Sequence, residues 1–465
     1  MGSLEEKETP KVHVVVVSCH AQGHINPLLQ FAKHLAHVGL QVTLPVISSS
    51  SDHHYRHLPR SLTVDHVPLL PYQGAETETE TETETVLALW ERRKASMGVY
   101  LKELMRCHED GSKRISCVVY DSVISWVLDI VKGFGVMGAA FFTQSCAVNS
   151  IYYSVYKHWV SVPLDKGWIC VDGFPLFEAL DLPSFVADQG KYPGFLQHLA
   201  DEQFQRLNEA DWIFANTFDA LEPQEVKWME SHFPFKNIGP MLPSMYLDGR
   251  IPNDKDYGVS LFESNTSSSM KWLDSKPENS VVYVSFGSAA ELGKPQMEEL
   301  AEGLKLSTKS FLWVVRESEL HKLPHKFIDE TAEKGLVVKW CPQLQVLSHK
   351  SVGCFVTHCG WNSTLEALSL GVGLVAMAQW SDQPTNAKYV EDVWKVGKRV
   401  RMEEDGVCKR EMIEVCINEV MEGEDGEEIK RNLRKWREVA KAAMDEGGSS
   451  DMNFKDFVNQ LLGRT

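Results

Sequence analysis

The chain has 465 residues, of which 43% are hydrophobic and 24% charged, and its formal net charge is −17. Those proportions are ordinary for a globular protein, and the length expects two or three domains. The acidic balance argues against a nucleic-acid or anionic-membrane surface, so any phosphate site must be built locally from backbone amides and helix ends.

The start is polar, Met1-Gly2-Ser3-Leu4-Glu5-Glu6-Lys7, and the first apolar run, Val12 to Val17, has only strand length. Met1-Gly2 lacks the Ser or Thr that a myristoylation signal needs, since Glu6 stands there. No run approaches a membrane span. The ten cysteines show no disulfide rhythm, so reduced thiols in a cytoplasmic monomer are expected. Cys341, Cys354 and Cys359 lie near His349 and His358, but their spacing fits no zinc pattern. No metal is expected.

His13 to Ser18 reads as a strand, Cys19 to Asn26 as a loop, and Pro27 to Val38 as a helix bracketed by Pro27 and Gly39. Leu40 to Ile47 follows as a second strand, which makes a βαβ unit and a parallel sheet. Ligands of such sheets sit at the carboxyl ends of the strands. The loop there offers two candidate bases, His20 and His24. Glu76 to Thr85 is a strict Glu-Thr alternation with nothing apolar, read as a solvated loop with a lid as the alternative. Val86 to Arg106 reads as a helix. Ile115 to Tyr120 is a strand ending at Asp121, a carboxylate that either orients a base or caps the next helix. Gly133 to Gly138 matches G-x-G-x-x-G, but it follows a helix and precedes a strand, so a turn is expected rather than a dinucleotide site.

Residues 143 to 205 mix aromatics with Pro and Gly, among them Tyr152, Tyr153, Tyr156, Trp159, Trp168, Phe174, Phe177, Phe185, Tyr192 and Phe195. They suit either an apolar acceptor pocket or a loosely built rim. Leu242 to Met270 reads as a linker. Its Asp254-Lys255-Asp256 lacks the apolar strand that a metal-binding D-x-D needs, so a solvated stretch is expected. Ser280 to Phe286 opens a second sheet, with Gly287-Ser288 as a small loop at the strand end. A last amphipathic helix is expected near Asn453 to Leu462.

The most informative stretch runs from Trp340 to Gln383. Gly353 to Thr357 reads as a buried strand. His358 to Asn362 is a turn, and Ser363-Thr364-Leu365-Glu366 reads as a capping box opening a helix that stops at Gly371. Strand, small-residue loop and helix start make an anion site, to which His358 and Asn362 can add donors. Trp340 at a strand end can stack on a flat base. Trp380, Asp382 and Gln383 place an aromatic beside an acid and an amide, a combination suited to sugar hydroxyls. Base, phosphate and sugar readers in that order spell a nucleotide sugar.

This stretch resembles, without a gap, the 44-residue signature of plant family-1 UDP-glycosyltransferases. The frames Gln22-Gly23-His24-Ile25-Asn26-Pro27 and Tyr120-Asp121-Ser122 with Trp126 resemble the same family. The family usually has Pro where Gly373 and Ala378 stand, which bears on the placement of the sugar readers. The resemblance implies an α/β chain of GT-B fold, two facing Rossmann-like domains. It implies an acceptor domain over 1–241, a linker over 242–270, a donor domain over 271–445, and a final helix over 446–465 that returns to the first domain.

It also implies roles. Trp340 stacks on uracil, Gln343 contacts base or ribose, and Glu366 binds the ribose hydroxyls. Ser288, His358, Asn362 and Ser363 hold the diphosphate, with Cys341 and Trp361 in the same donor site. Trp380, Asp382 and Gln383 bind the sugar, the final Gln going with glucose. His24 is then the base and Asp121 its carboxylate. The expected activity is inverting, metal-independent transfer from UDP-glucose, used as a substrate with no cofactor, to a small lipophilic plant metabolite. Residues 142–150 resemble the branch acting on phenolic acids, terpenoids and steroids. A UDP-sugar epimerase and a non-catalytic UDP-sugar-binding protein are the alternatives.

Overall fold

A computed structural model describes residues 12–48, 54–55, 58–71, 86–108, 114–164, 167–169, 173–187, 200–260, 266–403 and 405–464. The Glu-Thr run at 76–85, with Tyr192 and Phe195, lies outside the described residues.

Two parallel sheets organise the chain. The first contains β1 (His13–Val17), β2 (Gln41–Ser48), β3 (Leu62–Pro68), β4 (Ile115–Asp121), β5 (Met137–Phe142), β6 (Trp212–Ala215) and β7 (Phe235–Asn237), in the order β7-β6-β5-β4-β1-β2-β3. The second contains β8 (Val281–Ser285), β9 (Ser310–Val314), β10 (Gly335–Val338), β11 (Val352–Thr357), β12 (Gly373–Ala376) and β13 (Gly397–Arg399), in the order β10-β9-β8-β11-β12-β13. Central strands such as Val14–Val17 and Val281–Val284 are near-continuous apolar runs, almost wholly buried, because helices cover both faces of a parallel sheet. In each sheet the strand order reverses once, at β1/β4 and at β8/β11. The crevice at such a reversal, beyond the carboxyl ends of the strands, is where open α/β sheets take ligands.

Helix α1 (Gln22–His37) starts five residues before the expected Pro27. Pro27 therefore sits inside the helix rather than at its first position. Its missing N–H leaves the carbonyl of Gly23, four residues back, without a helical donor. The 126–138 segment folds as helix Trp126–Gly133, a turn with Gly135 at φ +64°, and β5. The G-x-G-x-x-G match is thus a helix-to-strand turn. Helix α2 (Cys146–Tyr156) is capped by Ser145, whose Oγ accepts from the Val148 amide at 3.2 Å. The described aromatics Tyr153, Tyr156 and Trp159 pack among Phe204, Trp228, His232 and Phe233. These three form a rim cluster and do not line the cleft described below, whereas Phe185 meets the cleft residue Trp380 with ring centroids 5.7 Å apart.

The segment between the sheets departs from the solvated stretch expected. Asp254 is buried. It accepts from Lys33 Nζ at 2.8 Å, Gln30 Nε2 at 2.7 Å and the Ser244 amide at 2.7 Å. The D-x-D acids are therefore split, one of them an anchor on α1, because a buried carboxylate needs a cation and donors around it. After helix Gly423–Met444 the chain turns into Ser449–Leu461, which packs on the first sheet. Phe457 lies among Phe214 (ring centroids 5.0 Å apart), Trp212 (5.4 Å) and Phe31 (6.2 Å).

Candidate active site

The two reversal points face each other across a cleft of about 1110 Å³. On the first side, β1 leads into α1, whose first turn carries His24. β4 ends at Asp121, which is fully buried. Asp121 Oδ2 accepts from His24 Nδ1 at 2.7 Å and from the Cys19 amide at 3.2 Å. Its Oδ1 accepts from the Val123 amide at 3.3 Å, so Asp121 also caps the short 3₁₀ turn Ser122–Ile124. One carboxylate thus caps the turn with one oxygen and meets His24 with the other. Thr143 Oγ1 lies 3.1 Å from His24 Nδ1. With Nδ1 engaged by a carboxylate, Nε2 is the nitrogen left to take a proton. Burial disfavours the His24 imidazolium, but the charge of Asp121 and its hydrogen bond outweigh this and raise the pKa above its ordinary value.

On the second side, β11 leads through His358 to helix α3 (Trp361–Leu370). The helix opens two residues before the expected Ser363, with Gly360 at its N-cap and no side-chain cap. Its first bond runs from the Thr364 amide to the Gly360 carbonyl at 3.0 Å. The amides of Trp361, Asn362 and Ser363 thus precede the first helical bond and point out of the helix start into the cleft. The capping box does not form. Ser363 and Glu366 instead accept from Gln343 Nε2, at 2.9 and 2.7 Å.

His358 fits between two glycines. A Cβ on Gly360 would meet His358 Nε2 at 2.6 Å, and one on Gly287 would meet its Cε1 at 2.9 Å. Burial pushes the His358 pKa down to about 4, against the pull of a hydrogen bond with the Ser285 backbone. It is a neutral dipole near pH 7. The adjoining Ser288 loop is held by Arg316, which donates to the Ser288 carbonyl at 2.7 Å and the Ala290 carbonyl at 2.6 Å.

The remaining candidates also reach the cleft. Trp340 and Cys341 follow β10, Cys341 donating to the Tyr283 hydroxyl at 3.6 Å. The buried indole of Trp361 donates to the Asn216 carbonyl of the first domain at 2.7 Å, so this side chain joins the domains. Asn362 does likewise, donating to the Gly23 carbonyl freed by Pro27, at 2.8 Å. Gln383 Oε1 accepts from the Gln379 and Trp380 amides at 2.9 and 3.0 Å, which folds the 379–383 loop and turns the amide oxygen of Gln383 inward. Asp382 is buried and takes Asn386 Nδ2 at 2.6 Å. Gly373 leaves β12 in register with β11, and a Cβ there would strike Val420 at 2.6 Å. Among the described residues no group of three His, Cys, Asp or Glu gathers as a metal site.

The family profile for UDP-glucoronosyl and UDP-glucosyl transferases matches residues 195–436. UDP-glycosyltransferase 74E2 of Arabidopsis thaliana is 47% identical over 97% of this chain and 99% of its own length. Mogroside I-E synthase of Siraitia grosvenorii is 45% identical over 98% and 99%. The chain belongs to the plant UDP-glycosyltransferase family. The crystal structure of Os79 from O. sativa in complex with UDP superposes with a TM-score of 0.87 at 38% identity, over 96% of this chain and all of that one. The fold is therefore GT-B, and the chain is a UDP-glycosyltransferase.

Among the cleft residues that sequence patterns do not single out are Thr143 and Tyr257. A single Thr after a strand does not stand out as a partner for a histidine. Tyr257, whose hydroxyl donates to Glu366 at 2.9 Å, sits in a stretch read only as linker. No helix among the described residues is long and apolar enough to cross a membrane.

Proposed function

We propose that this chain is an inverting glucosyltransferase that moves glucose from UDP-glucose to a hydroxyl of a small lipophilic metabolite, a steroid, triterpenoid or phenolic. The first domain holds the acceptor and the second the donor. His24 Nε2 takes the proton of the acceptor hydroxyl, and Asp121 keeps the ring in that tautomer and steadies the imidazolium. The acceptor oxygen attacks the sugar C1 from the side opposite the diphosphate. The new C–O bond forms as the old one breaks, its electron pair leaving on UDP. The amides of Trp361, Asn362 and Ser363 receive that charge. Glucose held α in the donor becomes a β-glucoside.

The observation that carries this reading is the pairing of His24 with Asp121 at 2.7 Å on the same cleft as the open end of α3. Support for a bulky apolar acceptor comes from a relative named mogroside I-E synthase and an Os79 structure with a trichothecene. The test is mass spectrometry of UDP-glucose with pooled steroids, triterpenoids, flavonoids and phenolic acids. One hexose gained by an acceptor is expected, with His24→Ala reducing the rate by roughly 10²–10⁴-fold. Isomerisation of UDP-glucose to another UDP-hexose, with no hexose gained by any acceptor, would overturn the glucose-transfer reading. Unchanged activity in His24→Ala would overturn the base.

A further inference from the structure

The segment between the two sheets contributes a buried side chain to the donor half of the cleft. Tyr257 lines that cleft. Its hydroxyl donates to Glu366 Oε1 at 2.9 Å, while Gln343 Nε2 donates to Oε2 at 2.7 Å. A carboxylate has about four acceptor positions, two on each oxygen. Here the protein takes one on each, which fixes the rotation of the group and leaves one on each for a ligand. Two neighbouring acceptors on a fixed plane match a vicinal diol. The backbone that delivers Tyr257 is itself pinned to the first domain. Lys33 Nζ of α1 binds Asp254 Oδ1 at 2.8 Å and the Asp256 carbonyl at 2.6 Å.

We propose that Tyr257 is a positioning residue for donor recognition, fixing the Glu366 carboxylate so that both oxygens accept from the 2′- and 3′-hydroxyls of the nucleotide ribose. This rests on Glu366 being the ribose partner. It makes the ribose subsite depend on a segment docked against α1, the helix that carries His24.

Tyr257→Phe keeps the buried ring and removes only the donor. The probes are UDP and 2′,3′-dideoxy-UDP, with affinities measured by calorimetry across pH. UDP is expected to weaken roughly five- to tenfold, within the range of one ordinary lost hydrogen bond, and the dideoxy nucleotide is not. KM for UDP-glucose is expected to rise by more than kcat falls. Burial pushes the Glu366 pKa up to about 7, with the hydrogen bonds from Gln343 and Tyr257 pulling it down. The wild type is therefore expected to bind UDP more tightly as pH rises through about 7, and Tyr257→Phe moves that limb to higher pH. Equal weakening of both nucleotides with an unmoved limb means a purely structural Tyr257 and overturns the proposal. Glu366→Ala separates the two layers. If it leaves the preference for UDP over the dideoxy nucleotide intact, the ribose reading of Glu366 fails. If it abolishes that preference while Tyr257→Phe does not, the Tyr257 proposal alone fails.

Discussion

Two imidazoles on one cleft sit in opposite electrostatic settings. Among the described residues no carboxylate raises the His358 pKa, and burial drives it down to about 4. His24 is buried too, yet Asp121 reverses the effect and raises it. In the proposed role of base His24 works only when neutral, so kcat/KM is expected to fall on the acid side with a midpoint above the ordinary value of about 6.5. Asp121→Asn removes the raising influence and leaves burial, so this limb is expected to move to lower pH while the rate drops. A pH–rate profile of both proteins checks this, and a limb that stays put in Asp121→Asn counts against the pairing. The same pair contributes to folding. A His pKa raised in the folded state gives stability that is full below the unfolded value and is lost as pH rises through the folded one. The advantage of wild type over His24→Gln in urea melts is therefore expected to be largest in mild acid and to shrink as pH rises through that folded value.

Helix α1 shows what an element can do by being imperfect. Pro27 leaves the Gly23 carbonyl open, and Asn362 of the opposite domain takes it at 2.8 Å. Replacing Pro27 by Ala restores an N–H that competes for that carbonyl. An interior Pro costs a helix about 3 kcal/mol relative to Ala, so Pro27→Ala is expected to melt no lower than wild type. It is also expected to turn over several-fold more slowly, because the link beside His24 is weakened. In a double-mutant cycle the effect is expected to vanish in an Asn362→Ala background, and additive losses would sink the link. The element shows equally where sequence patterns succeed and stop. The Q-G-H-x-x-P frame singles out His24 as the candidate, but the local rule that Pro favours the first helical position puts the helix start five residues late. Likewise Ser363 and Glu366 fit a capping box, and tertiary contact with Gln343 overrode it. The strands and the cleft-lining signature were legible because buried parallel strands are apolar runs and the site residues cluster at their ends. Tyr257 and Asp254 were not, since their partners lie 109 and 221 residues away in sequence.

At the scale of the molecule, many polar contacts tie the two domains together, among them Trp361 with Asn216, Thr385 and Arg399 with Asp181, and Tyr389 with Glu225, and a buried ion pair ties the connecting segment to the first domain. Lys33 and Asp254 are almost wholly buried, each at 2% side-chain exposure. Removing one partner of such a pair strands the other charge and costs about 3–5 kcal/mol. Asp254→Ala is expected to lose that much in chemical denaturation, and a change under about 1 kcal/mol would mean that the pair is solvated. Phe457→Ala opens a cavity among Phe31, Phe214 and Trp212, with an expected cost of about 3–5 kcal/mol, read from the same melts. That last contact also has a meaning in time. Phe31 and Phe457 share one core, yet the whole second sheet is made between them. At roughly 5–20 residues per second, the ribosome needs on the order of half a minute to supply the second ring after the first. Until then Phe31, Phe214 and Trp212 lack the ring that packs among them in the folded chain, and the helices that cover the second sheet, Arg410–Met421 and Gly423–Met444, are made only shortly before it. The last helix of the chain therefore completes the core of the domain that was begun first.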